Sequence, residues 1–223
     1  MTAPLASEDA ARLEQCLACG GVAVIPTDTV YGLACNPNSE TAVRRLYELK
    51  GRPPARPSAV MFFALQPALE LLTDLGPHTR AALDSLLPGA ATLLIPNPTG
   101  RFPLACDPTG APTQAGVRAL ADDGPTTPLG LRVPLFTGPL SALAEVTAPA
   151  MQSSANLAGG PDPKRIEDVP VQLRAGADLV FDGGELPGTA STVLDLTDYE
   201  RTGEWRIVRE GPIAASAIGP LLD

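Results

Sequence analysis

Apolar positions along this chain follow two rhythms, one with a helical period and one in short unbroken runs. From residue 7, Leu13, Cys16 and Leu17 fall on one helical face, with Ser7 as the candidate N-cap, Glu8 and Asp9 in the first turn, and Gly20-Gly21 ending the pattern. Residues 22–25 form a short apolar run stopped by Pro26, which predicts a strand. Ser39 is a second candidate N-cap, followed by Val43, Leu46 and Tyr47 on one face and by Gly51 in the C′ position. Residues 58–63, 92–95, 129–133, 179–181, 192–196 and 205–208 read as further strands. Residues 68–72, 79–87, 141–146 and 171–174 read as helical. Strands and helices alternate throughout with no internal repeat. This predicts an α/β (α+β) fold built on one main sheet.

Residues 97–128 break the pattern. They are rich in Pro, Gly, Thr and Asp, have no clear period, and include Arg101 and Arg118 among several glycines. Connections usually run roughly four to six residues. So long a segment is either a disordered insertion or a lid whose arginines could meet phosphates on closure.

Composition narrows the classes. With 223 residues, 44% apolar and 18% charged, the chain can bury one core as an ordinary soluble globule. A net charge of −9 and an aromatic content of 4% argue against a general nucleic-acid binder or a base-stacking platform. They still allow a small basic cleft on an acidic protein. The N-terminus lacks a basic start, and no apolar run is long enough for a membrane span, so a cytoplasmic, reduced protein is expected. The four cysteines, Cys16, Cys19, Cys35 and Cys106, have no disulfide-framework spacing. Cys16-x-x-Cys19 could be a redox or zinc half-site, but a structural zinc wants four ligands and His78 is the sole histidine. Buried helical cysteines are the expectation, with His78 on a helix surface.

No Walker-type or dinucleotide glycine motif is present. Four polar clusters lie near the ends of apolar segments, where α/β sheets commonly place ligands. The first, Pro26-Thr27-Asp28-Thr29-Val30-Tyr31-Gly32-Leu33, fits either a turn or a hydroxyl-rich site. In the second, Lys50-Gly51-Arg52-Pro53 with Arg56, the lysine suits a helix C-terminus. The two arginines lie beyond the helix on a proline-stiffened loop and suit an anionic ligand. The third is Ser153-Ser154-Ala155-Asn156 with Gly159-Gly160. The fourth is Gly188-Thr189-Ala190-Ser191-Thr192-Val193-Leu194-Asp195, leading to Arg206, Arg209 and Gly211.

In that order, with Leu131-Arg132-Val133-Pro134 between the second and third, the clusters resemble the threonylcarbamoyl-AMP synthase (YrdC-like) family. The resemblance spans roughly residues 7–212, which it implies are one catalytic domain, with 97–128 as a loop insertion and 213–223 as a tail. It implies a twisted mixed sheet with flanking helices and a concave ligand cavity. It also implies a nucleotidyltransferase that condenses L-threonine, bicarbonate and ATP into L-threonylcarbamoyladenylate, the first step of a tRNA modification. Transferred by motif, Thr29, Arg132, Ser154 and Ser191 would contact threonine. Arg52, Arg56, Asn156 and Arg209 would contact ATP, and Lys50 and Arg52 would act in catalysis, Lys50 holding bicarbonate or phosphate. No protein-bound metal is implied; Mg²⁺ would ride on the ATP phosphates. Downstream tRNA threonylcarbamoyl-transfer proteins would be the partners, with tRNA itself bound weakly or indirectly. The alternative is a YrdC-like module for carbamoyl transfer or RNA binding. The chain has Leu87-Pro88-Gly89-Ala90-Ala91-Thr92 where relatives usually show Trp-Pro-Gly-Pro-Leu-Thr.

Overall fold

The computed structural model describes residues 3–51, 57–107, 118–119 and 125–222. In chain order these form α1 (Ser7–Ala18), β1 (Val22–Ile25), β2 (Gly32–Cys35), α2 (Glu40–Lys50), β3 (Ala59–Met61), α3 (Leu65–Leu71), α4 (Pro77–Leu86), β4 (Ala91–Ile95) and α5 (Pro103–Cys106). A two-residue ribbon, β5 (Arg118–Ala119) and β6 (Pro125–Thr126), comes next. Then follow β7 (Leu129–Arg132), a 3-10 turn (Gly138–Glu145), β8 (Ala150–Ser154), α6 (Val171–Gly176), β9 (Leu179–Val180), β10 (Thr192–Asp195), α7 (Tyr199–Thr202), β11 (Arg206–Arg209) and α8 (Ala215–Leu222).

Nine strands form one mixed sheet in the order β11-β10-β4-β7-β3-β8-β2-β1-β9. Three parallel pairs (β10 with β4, β3 with β7, β1 with β9) are interspersed among antiparallel ones. The predicted mixed sheet with flanking helices is therefore the observed one. Side chains alternate across a strand, and in the middle of this sheet the two sides differ in chemistry. Leu93, Ile95, Leu131, Met151 and Leu194 are fully buried on one side. Their neighbours Thr92, Leu94, Gly130, Arg132, Gln152 and Ser154 line a cleft on the other. The register binds this floor together, with Thr92 opposite Arg132 and Leu94 opposite Gly130.

Local chemistry explains several boundaries and corrects others. Ser39 caps α2 as expected, its Oγ accepting from Ala42 N–H at 3.3 Å, and Gly51 closes the helix in the left-handed conformation (φ 59°). At α1 the N-cap is Ala6, and the Asp9 carboxylate accepts the Ala6 N–H at 3.0 Å. Ser7 is already helical and donates to Glu145 instead. The cysteines of α1 are less buried than expected: Cys16 is half-buried and Cys19 is exposed at the C-cap. Ala10, Leu13 and Leu17 supply the buried face of this helix. His78 is exposed on α4 beside Glu200, as expected of a surface histidine.

Besides the ribbon, two strands of the main sheet went unpredicted. β2 begins at the end of the first polar cluster, and β8 carries the polar run Gln152-Ser153-Ser154. Residues 97–107 are no loop. Asn97 Oδ1 accepts from Arg101 N–H at 2.8 Å, and Arg101 pairs with Asp74 at 3.4 Å. Phe102 packs edge-on against Phe62, and Ala105 and Cys106 are buried. Arg101 is thus tied into the fold. The rest of the candidate lid lies outside the described residues except for the ribbon and for Thr127 and Pro128, which line the cleft. Residues 213–222, expected as a tail, end in α8, whose Ile218 is fully buried.

Candidate active site

The cleft on the polar side of the sheet has a volume of about 870 Å³. Six residues marked in the sequence line it: Lys50, Arg132, Ser154, Asn156, Ser191 and Arg209. Thr29 lies just behind, and Arg52 and Arg56 fall outside the described residues.

Arg132 ends β7 at 3% exposure. Its Nη2 lies 2.7 Å from Asp28 Oδ1, 2.5 Å from Thr29 Oγ1 and 3.1 Å from Thr27 Oγ1. The polar run of the first cluster is therefore a turn and a site at once. Thr27 Oγ1 donates to the Val30 carbonyl at 2.7 Å and stabilises the turn. Asp28 also accepts the Leu135 N–H at 3.0 Å. Burial pulls the Arg132 pKa below its ordinary value, Asp28 opposes that, and nearby Arg209 adds to it. Arg132 Nε is buried with no partner among the described residues, an unused donor beside the cleft.

Lys50 is the last residue of α2 and is 4% exposed. Its ammonium donates to the Ser154 carbonyl, and at 2.6 Å to Asn156 Oδ1. Ser154 Oγ donates to the same Asn156 oxygen at 2.8 Å, and Asn156 Nδ2 donates to the Gly160 carbonyl at 2.7 Å. The helix end and the loop after β8 are thereby locked together. Ala158 N–H adds a bond to the Lys50 carbonyl at 3.2 Å.

Arg209 ends the edge strand β11 and reaches over β10. Its Nη2 donates to the Ser191 carbonyl at 2.7 Å and lies 3.2 Å from Ser191 Oγ. Ser191 Oγ shares a 2.7 Å hydrogen bond with Thr92 Oγ1. Gly211 makes this docking possible, since a Cβ there would sit 2.3 Å from the Thr192 amide nitrogen. Sequence reasoning missed Asp28, Thr92, Gln152 and Asp162 as site residues. Asp28 had a visible signal, sitting inside the first cluster between two marked threonines. Thr92 and Gln152 are single residues whose neighbours across the sheet are distant in sequence, and Asp162 sits in the loop after β8.

Chemically, the cleft offers fixed hydroxyls, three cations and no histidine or thiol among its described lining residues. That suits positioning and charge neutralisation of anionic groups rather than covalent catalysis. Fold and cleft together define the class, an α/β protein with a cation-bearing cleft over a mixed sheet.

Within that class the chain belongs to the Sua5/YciO/YrdC family, described as telomere recombination, whose model matches residues 15–211. It is 33% identical to the threonylcarbamoyl-AMP synthase of Bacillus subtilis (strain 168) over 181 residues, covering 79% of this chain and 47% of that protein. It is 31% identical over 218 residues to the Homo sapiens threonylcarbamoyl-AMP synthase, covering 87% of this chain and 64% of that one. The chain thus spans roughly half to two thirds of the length of these relatives. The crystal structure of P. abyssi Sua5 complexed with L-threonine superposes with a TM-score of 0.74 at 24% identity, covering 97% of this chain and 58% of that one. Among the described residues no helix is long and apolar enough to cross a membrane.

Proposed function

We propose that this chain is a cytoplasmic L-threonylcarbamoyladenylate synthase, a nucleotidyltransferase whose catalytic domain is residues 7–212. The threonine amine takes up bicarbonate to give a carbamate and water. A carbamate oxygen then attacks the α-phosphorus of ATP and diphosphate leaves. No protein nucleophile is needed, so the chain has to hold two substrates in line and neutralise charge. Thr29 and Arg132, acting as one bonded group, hold threonine together with Ser154 and Ser191. Lys50 holds the bicarbonate-derived oxygens or the phosphate, and Asn156 and Arg209 hold ATP. Arg52 and Arg56, outside the described residues, keep by resemblance the roles of neutralising the triphosphate.

The triphosphate would bring Mg²⁺, held by its own oxygens and water. The product would pass to tRNA threonylcarbamoyl-transfer proteins. A net charge of −9 supports weak or indirect contact with tRNA itself.

One observation carries the reading. Residues from separate stretches of sequence meet in one cleft, where Arg132 and Arg209 are close enough to feel each other's charge. The test is diphosphate release by the purified chain. Release that needs ATP, threonine and bicarbonate together is expected. Release independent of threonine, or none, would refute the reading.

A further inference from the structure

Asp162 is the one carboxylate among the described residues lining the cleft, and the proposed reaction gives it no role. Its position is costly. Lys50, Arg132 and Arg209 line the same cleft, and a polyphosphate drawn in by them is repelled by a carboxylate. An ionised carboxylate only accepts hydrogen bonds, so whatever faces it must donate them or carry positive charge.

The chain holds this side chain firmly. Pro161 and Pro163 flank it, and the following proline restricts the Asp162 backbone as well. Pro163 is buried, and its carbonyl accepts the Tyr31 N–H at 2.9 Å, tying the segment to the start of β2. Asn156 Nδ2 lies 3.3 Å from Asp162 Oδ1. Oδ2 has no protein partner among the described residues.

Asn156 separates two zones of the cleft. Its Oδ1 faces the Lys50 ammonium and the Ser154 hydroxyl, where anionic oxygens belong. Its amide faces Asp162. Between Asn156 and Asp162, residues 158–160 are Ala-Gly-Gly, and a Cβ added at Gly159 would meet nothing within 4 Å. Neither glycine projects a side chain into the cleft beside the carboxylate.

We propose that Asp162 accepts hydrogen bonds from the ribose hydroxyls of the nucleotide and selects ribonucleotides over deoxyribonucleotides. The inference rests on the adenylate-forming reading above. The vicinal diol matches the two oxygens of one carboxylate and lies at the end of the nucleotide away from its triphosphate. The other donors among the substrates fit less well. Threonine, whose carboxylate suits the Arg132 guanidinium, belongs with Arg132 and Ser154, across Asn156 from Asp162. A metal would need further oxygen ligands, and no such cluster occurs among the described residues.

The experiment compares calorimetric binding of ATP and 2′-deoxy-ATP to the wild-type chain and to Asp162→Asn, with the threonine KM and the magnesium requirement measured alongside. Asp162 makes one long hydrogen bond within the chain, so the variant should melt like the wild type. Wild type should prefer ATP by about tenfold, as expected for hydrogen bonds to a charged acceptor. In the variant this preference should fall below about threefold through weaker ATP binding, with the threonine KM unchanged. An undiminished preference in the variant overturns the proposal. So does a variant that raises the threonine KM or the magnesium requirement instead, placing the carboxylate on the amine or the metal. A wild-type chain that binds neither nucleotide overturns the adenylate reading itself, a failure visible before any variant is made.

Discussion

Arg132 and Arg209 face the same cleft under opposite conditions. Arg132 is buried, and a carboxylate 2.7 Å away compensates its charge. Arg209 lies exposed at the rim and, among the described residues, meets only the carbonyl and hydroxyl of Ser191, both neutral. Under the proposed function, this difference divides the labour. A compensated, immobile guanidinium acts through fixed geometry, as recognition of a small amino acid requires. An uncompensated one retains its full charge for a polyanion. Arg45 supplies a third condition. It is paired with Asp178 at 2.5 Å, but both side chains are about two-fifths exposed or more, away from the cleft.

The largest effect should come from uncoupling the buried pair. Asp28→Ala leaves the Arg132 guanidinium buried without its carboxylate and should destabilise the fold by about 3–5 kcal/mol in denaturant titrations. Asp28→Asn keeps a carbonyl acceptor and should cost less. An unchanged unfolding midpoint for the alanine variant would break the contrast, because Arg132 would then not depend on Asp28.

Cutting the other arginine should leave the fold intact and remove activity. Arg209→Ala, and likewise Arg52→Ala, should slow diphosphate release by at least about thirtyfold, the equivalent of roughly 2 kcal/mol in the transition state. A rate within about threefold of wild type would sink the assignment of that residue. Ser191→Ala sharpens the boundary between the two halves. It should raise the threonine KM by about fivefold or more, for a lost hydrogen bond of roughly 1–3 kcal/mol, and shift the ATP KM less. The reverse pattern would mean that the halves are exchanged.

The smallest effect belongs to the surface pair. Arg45 holds the Asp178 carboxyl below its ordinary value, first through the hydrogen bond and then with help from the Val22 N–H. The stabilisation is complete above the ordinary carboxylate range near 4 and disappears as the pH falls through the lowered folded value. Arg45→Ala should therefore cost less than about 1 kcal/mol at neutral pH and flatten the acid side of the stability profile. A loss as large as that of Asp28→Ala would show that exposure does not set the ranking.

What the sequence revealed follows the same physics. α2 was legible from end to end because Ser39 and Gly51 act locally, through a cap and a left-handed turn. β8 was not. As a central strand it shows the cleft Gln152 and Ser154, so the polarity that reads as a turn is that of a cleft floor. Residues 97–107 looked irregular because proline and glycine obscure packing that rests on Phe102, Ala105 and the Asn97 bonds. The marked clusters did converge, with Lys50, Arg132, Ser154, Asn156, Ser191 and Arg209 in one cleft. The pairing of Arg132 with Asp28 could not be read beforehand, because the sheet makes that contact between stretches far apart in the chain. The same holds for Thr92 against Ser191.

The central claim is that this cleft joins threonine, through a bicarbonate-derived carbonyl, to the α-phosphate of ATP. Mass spectrometry of the products formed by the purified chain from ATP, threonine and isotopically labelled bicarbonate tests it most directly. The account predicts a labelled adenylate containing threonine, formed together with diphosphate and abolished in Arg209→Ala. ADP and phosphate in its place, or label absent from every nucleotide product, would contradict it.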